Sequence, residues 1–387
     1  MELSDRIHQI TPSMTFAISS AAQQLAARGE DVCNFGVGEP DFITPLHIRE
    51  AAKTALDEGH TKYTPTAGLP ELRQLIAVKL QAENQLPYEA GQILVSTGGK
   101  QALYNMLMAI LGPGDEALIP APYWVTYPEI VKLTGATPVF IEATQAAGYK
   151  ITPSQLTAAI TSRTRVLILN SPSNPTGAVY TREEMQGLAD VLVAHNVAVL
   201  SDEIYEKLTY DGMQHTSIGS LNPLIFDQTI TCNGFSKAYA ATGWRLGYAA
   251  APQHIIKGAT ALQSHSTSGP NTFAQYGAVT ALEGSQDEVL KMRDIFEQRR
   301  DFFVAGLQAI KGLDCQLPHG AFYVFPDISA TGLDSTQFCR RLLDQEYVAA
   351  VPGAAFGAES NIRLSYATDT KTIEKGLVRL EHFVRSL

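Results

Sequence analysis

The segment Ser236-Lys237-Ala238-Tyr239-Ala240-Ala241-Thr242-Gly243-Trp244-Arg245 places one lysine eight residues before an arginine, among small residues. A lysine amine that is partly desolvated and near a second cation forms a Schiff base with an aldehyde. An arginine grips a phosphate bidentately. An aldehyde and a phosphate on one small molecule describe pyridoxal 5'-phosphate. Taken alone, the segment also reads as an ordinary surface lysine and arginine.

Other segments offer chemistry of matching kinds, each with a plainer alternative. Ser96-Thr97-Gly98-Gly99-Lys100 follows an apolar run and opens a helix, so its free amides suit an anion; a tight strand-to-helix turn explains the glycines equally. Trp124, in Pro122-Tyr123-Trp124, either stacks on a flat heteroaromatic ring or fills the core. In Asn170-Ser171-Pro172-Ser173-Asn174-Pro175-Thr176-Gly177 two prolines and a glycine fix a turn and leave Asn174 as a rigid donor. Asp202 ends a buried apolar run, where a carboxylate needs a cationic partner such as a protonated pyridine nitrogen; a helix N-cap is the alternative. Tyr205 lies three residues on, within reach of a phenolate oxygen. Arg363 interrupts the apolar run Ile362–Ser365 and needs a carboxylate from the protein or from a substrate.

These residues need a scaffold that brings strand ends together. From about residue 48 helical and strand patterns alternate. Helices are predicted over 15–28, Ile48–Leu56, Leu69–Glu83 and Arg182–His195. Short apolar strands are predicted at Gln92–Ser96, Ala117–Ile119, Thr137–Ile141, Val166–Asn170, Val197–Ser201, Thr229–Cys232 and Gly247–Ala250. The pattern implies an α/β fold, a mainly parallel sheet with helices on both faces. After residue 286 a long amphipathic helix, Gln286–Ile310, leads to strands at Ala321–Phe325, Val348–Val351 and Ile362–Ser365. The division expected is a large domain over 46–285, a smaller α+β domain over 286–387, and an N-terminal segment, 1–45, joining the smaller one. In such a sheet, ligands bind at the carboxyl ends of the strands.

Bulk properties narrow the function. A length of 387 residues fits about two domains. The net charge of −10 and the lack of a basic run argue against nucleic acid or an anionic membrane as partner. Cys33, Cys232, Cys315 and Cys339 are scattered, with no CxxC pair, so neither a disulfide framework nor a metal site is expected. The charged start MELSDRIHQI lacks the apolar run of a signal peptide, and a cytoplasmic enzyme is expected. Neither GVGEPD nor STGGKQ completes a dinucleotide or Walker fingerprint, which removes the dehydrogenase that the βα pattern alone suggests.

From Pro12 to Tyr366 the chain resembles the fold-type I pyridoxal-phosphate enzymes, class I aminotransferases in particular. The resemblance rests on VGEPDF (37–42), KYTPTAG (62–68), GGKQALYN (98–105), PYW (122–124), NSPSNPTG (170–177), SDEIY (201–205), SKAYAATGWRLGY (236–248) and IRLSY (362–366). Within that family it is most similar to the prokaryotic-type aspartate aminotransferases, which include prephenate aminotransferases. The resemblance implies that Lys237 carries the cofactor and that Asp202 pairs with its ring nitrogen. Asn174 and Tyr205 would contact the ring hydroxyl, and Trp124 would stack on the ring. Gly99, Lys100, Ser236 and Arg245 would hold the phosphate, with Tyr63 reaching it from the other subunit of a homodimer. Arg363 would bind the substrate α-carboxylate, with Gly38 closing over it. Ser13, Thr15 and Lys100 would read a second carboxylate, implying aspartate or glutamate as donor and a 2-oxo acid, prephenate among them, as acceptor. Two departures stand out: Gly234 occupies a position where the family often has a phosphate-binding serine, and Thr11 stands where it often has lysine. A carbon–sulfur lyase, or an alanine or aromatic aminotransferase, shares the same anchors. A cofactor-binding transcription regulator would need a reading head before VGEPDF.

Overall fold

The computed structural model describes residues 2–12 and 14–387. Its strands are β1 Cys33–Asn34, β2 Ile93–Ser96, β3 Glu116–Ala121, β4 Thr137–Glu142, β5 Thr164–Asn170, β6 Ala198–Asp202, β7 Thr229–Gly234, β8 Gly247–Ala250, β9 Tyr323–Val324, β10 Val348–Ala349, β11 Val351–Pro352 and β12 Ile362–Ser365. The central sheet has seven strands in the order β2-β8-β7-β6-β5-β3-β4. Along β5, Val166 and Ile168 join an apolar cluster on one face, and Leu167 and Leu169 join another on the opposite face. Burial on both faces explains why these strands read as unbroken apolar runs.

Helices fill the connections, as the patterning predicts. The helix Arg182–His195 has its expected bounds because Thr181 and Glu184 cap each other's backbone amides and Asn196 ends it in the left-handed conformation. The long helix runs Asp287–Ala309.

The central sheet is mainly parallel, as expected, with one reversed strand, and one strand expectation changes. β8 runs antiparallel to both β2 and β7. The connection from β7 to β8 carries the Lys237 segment and a single short 3-10 turn, Thr242–Trp244, without the packed helix that a parallel crossover needs. The run Val348–Val351 splits: β10 pairs with β1 in parallel, and β11 pairs with β12 in the antiparallel sheet β11-β12-β9. A single residue, Ala350, carries the chain from one small sheet to the other.

Candidate active site

The site groups lie along one edge of the sheet. β2, β3, β5 and β6 end at Ser96, Ala121, Asn170 and Asp202, immediately before or at the residues singled out by chemistry. Because β8 is antiparallel, its first residue, Gly247, pairs with Ser96 and with Gly234 at the ends of its neighbours. That reversal sets Arg245 beside the loop after β2. A Cβ at Gly98 would meet Arg245 Nη2 at 2.5 Å, and one at Gly247 would collide with the Gly99 amide. At Gly247 the backbone contact requires glycine, and at Gly98 the φ of +85° favours it.

This corner is built for an anion. Helix Gly99–Ile110 starts at Gly98 with no side-chain cap. The amides of Gly99 and Lys100 therefore have no intrahelical partners. The Arg245 guanidinium donates to the Thr242 carbonyl at 2.9 Å. Lys100 Nζ stands 4.8 Å over the Trp124 ring, and desolvation, helped by Arg245, holds its pKa below the usual lysine value. Ser236 is buried at the turn after β7. A side chain at Gly234 would press on Gly247 and Leu246, so the smaller residue suits this packing.

A second network crosses the floor. Asp202 is buried, and its Oδ2 accepts a 2.7 Å hydrogen bond from Tyr127. Burial pushes the Asp202 carboxyl up to about 6, while the Tyr127 hydroxyl and the Ile204 amide pull it down. The 3.2 Å bond from the Ile204 amide is the only trace of the capping role considered for it, because no helix follows. Asn170 Nδ2 donates to the Asp202 carbonyl at 2.9 Å, and its Oδ1 accepts from the Asn174 amide at 2.8 Å. Asn174 Oδ1 accepts from Arg363 Nη1 at 3.0 Å.

Arg363 is 1 % exposed, on β12. Its other bond is from Nη2 to the Gly36 carbonyl at 2.9 Å, and Nε is buried without a partner. It lies 4.5 Å over the Tyr323 ring, and desolvation lowers its pKa. No protein carboxylate answers it among the described residues, which removes the structural ion pair as an explanation. An unpaired buried guanidinium is costly, so a ligand carboxylate is the fitting partner.

Lys237 Nζ lies between the two networks and donates to the Gly38 carbonyl. Its ammonium sits 5.6 Å from the Phe322 ring centroid and 5.8 Å from that of Tyr205. Desolvation brings its pKa down to about 8; Glu39 opposes the shift, and Arg363 and Arg245 add to it. Tyr205 shares a 2.8 Å hydrogen bond with Tyr323, and burial keeps its phenol protonated. A Cβ at Gly38 would come within 3.2 Å of the Tyr323 hydroxyl.

Not every expected group is gathered here. Tyr63 is 94 % exposed and hydrogen-bonds to none of them. Thr15 lies on helix Met14–Ala27, without a hydrogen bond to the group. Ser13 is outside the described residues. The sequence reading missed Tyr127, Asn170 and Tyr323. Asn170, at the end of its strand and the start of NSPSNPTG, carries a signal in the sequence; Tyr127, in the first turn of helix Thr126–Thr134, is tied to Asp202 only by the fold.

The family model described as "Aminotransferase class I and II" matches residues 30–380. The chain belongs to this family. Its curated relatives include the aspartate aminotransferase of Geobacillus stearothermophilus, 48 % identical with 100 % of both chains covered. The aspartate/prephenate aminotransferase of Cereibacter sphaeroides is also 48 % identical, covering 100 % of this chain and 99 % of the relative. Among solved structures, aspartate aminotransferase from Thermus thermophilus with maleate superimposes with a TM-score of 0.95 at 44 % identity, 100 % of each chain covered. This aminotransferase shares their α/β fold from end to end. No described helix is long and apolar enough to cross a membrane.

Proposed function

We propose that this aminotransferase uses pyridoxal 5'-phosphate to move an amino group between aspartate or glutamate and a 2-oxo acid. The observation that carries the reading is a set of four neighbouring cations: Lys237 feels the charges of Arg245 and Arg363, Lys100 feels that of Arg245, and none of the four forms a salt bridge with a carboxylate among the described residues. A phosphate and a dicarboxylate supply the missing charge.

The residues fit the cofactor. The uncapped helix start at Gly99 and Lys100, with Ser236 and Arg245, would hold its phosphate. Lys237 would hold its aldehyde carbon, Asp202 its ring nitrogen, Asn174 and Tyr205 its hydroxyl oxygen, and Trp124 its ring face. When bound, this cofactor supplies an electron sink for a substrate whose Cα–H bond breaks. Arg363, Asn174 and Gly38 would fix the substrate α-carboxylate, a positioning effect. Lys237, with its pKa brought down to about 8, suits transfer of a proton to and from substrate carbon near neutral pH. Lys100 and Thr15, with Ser13, would read the second carboxylate. Relatives named for aspartate, and a Thermus structure holding the dicarboxylate maleate, support that choice. The aspartate/prephenate relatives favour prephenate as a second acceptor.

The reading includes a homodimer in which Tyr63, unused in its own chain, completes the partner's phosphate site. The β1–β10 pairing supports joining residues 1–45 to the smaller unit 286–387, apart from 46–285. Four buried free cysteines suit a reducing compartment, the cytoplasm.

A panel of aspartate, glutamate, alanine, phenylalanine and prephenate tests the specificity. Aspartate and glutamate should exceed alanine in kcat/KM by more than about tenfold, the worth of one charged hydrogen bond. Equal values, or ammonia released in place of a transferred amino group, would overturn the reading. A second measurement concerns Tyr127. Asp202 must be ionised to pair with a protonated ring nitrogen, and Tyr127 donates to its charged form. In Tyr127→Phe the acid limb of cofactor uptake should therefore move up by roughly half to one pH unit. Superimposable uptake profiles for the two proteins would remove Tyr127 from this role.

A further inference from the structure

The loop between helices Leu46–Asp57 and Pro70–Asn84 contains a contradiction. Its apex residue, Tyr63, is 94 % exposed, and its hydroxyl bonds to nothing among the described residues. Exposed loops of this kind are ordinarily loose. Both neighbours of Tyr63, however, are tied to the start of helix Thr272–Glu283. Thr272 Oγ1 donates to the Lys62 carbonyl at 2.7 Å. Gln275 Nε2 donates to Thr64 Oγ1 at 3.1 Å, and its Oε1 accepts from the Leu69 amide at 2.8 Å.

The far foot of the arch is held just as firmly. Gln263 Nε2 donates to the Thr66 carbonyl at 2.7 Å, and the Val95 amide donates to the Ala67 carbonyl at 3.0 Å. Gly68, at φ +100°, lies so close to Val95 that a Cβ would meet it at 2.7 Å. Gln263 and Gln275 are both 0 % exposed. Two fully buried amides are thus committed to a loop whose tip touches solvent. Burying an amide is unfavourable unless its bonds are made, so the arrangement constrains the loop strongly. Within one chain the tyrosine gains nothing from that constraint. A rigid aromatic with a free hydroxyl is useful only to a partner that reads its position.

We infer that Gln275 and Thr272 are positioning residues for Tyr63, and that they act on the cofactor site of a second copy of this chain. The inference rests on the shared-site dimer proposed above. It places the effect of a residue on one subunit in the chemistry of the other.

Heterodimers of two differently tagged chains, one silenced by Lys237→Ala, test this, because only the site holding Lys237 is active. With Gln275→Leu on the silent chain, the live site should need about five- to tenfold more pyridoxal phosphate for half-maximal activity, the effect of losing roughly one hydrogen bond's worth of order. With Gln275→Leu on the live chain, half-saturation should match the unmutated heterodimer. Thr272→Val, which keeps the side-chain shape and removes only the bond to Lys62, should follow the same trans pattern. A defect that follows the live chain, appears equally in both arrangements, or is absent overturns the inference. Tyr63→Phe in the same two arrangements separates the premises. If Tyr63→Phe acts in trans and Gln275→Leu does not, the positioning role fails alone. If Tyr63→Phe acts in cis, the shared site fails and the inference with it.

Discussion

In Lys237→Ala, transamination should fall by more than about 10⁴-fold, since in the proposed reading the substitution would remove a proton-transfer group worth roughly 10²–10⁴-fold together with the cofactor's point of attachment. The amine lies partly buried among Gly38, Tyr205 and Phe322, and desolvation gives it a pKa of about 8. At that value half of the side chains are neutral at pH 8, whereas an ordinary lysine near 10.4 is almost wholly charged. Only the neutral amine attacks a carbonyl or accepts a proton. Two measurements follow from this. Borohydride treatment of the wild-type holoenzyme should leave the cofactor's mass on the peptide containing Lys237, and none on the variant. In cofactor-free protein, acylation of Lys237 should rise with a midpoint near pH 8. Substantial turnover in the variant would remove Lys237 from the chemistry, and a labelling midpoint above pH 10 would contradict the desolvated amine.

The charged residues that the sequence marks as candidates have a common property. Asp202, Lys237, Arg245 and Arg363 are charged groups in or next to stretches of apolar and small residues, and Asn174 is fixed in a proline-bounded turn; a charge in an apolar setting is unfavourable unless a ligand or partner answers it. The contrast between residue and neighbourhood is visible along the chain. What the sequence conceals is pairing across distance. Tyr127 reaches Asp202 over 75 positions, and Arg363 reaches Asn174 over 189. Neither local pattern names its partner. The reversed direction of β8 is hidden for a related reason: GYAA has the same apolar character either way round, and direction is set by the connection that precedes it. The switch between sheets at Ala350 is equally silent, because VAAV reads as one strand. The helices fared better, since caps such as Thr181 and Asn196 are local signals.

The second large effect is expected at Asp202. Asparagine there keeps the size of the side chain and an oxygen able to accept from Tyr127, so the buried floor of the site should survive. The charge does not survive. A ring nitrogen facing a neutral amide loses the interaction that keeps it protonated, and an unprotonated ring withdraws electrons weakly. Asp202→Asn should therefore lower kcat by about 10²–10³-fold, the scale for removing one preorganised electrostatic contact. Cofactor affinity should change far less, since in the proposed arrangement Lys237, Arg245 and the helix start at Gly99 would still hold its other end. The split between the two quantities is the informative result. A parallel collapse of affinity and kcat would mean that Asp202 chiefly supports the site's structure, and an unchanged kcat would mean that the cation it faces is not the cofactor's nitrogen. Tyr127→Phe supplies the control in the other direction: it leaves the carboxylate in place and weakens only its ionised form, so its loss of activity should be confined to acidic pH and recover as Asp202 ionises, whereas the loss in Asp202→Asn should persist at every pH.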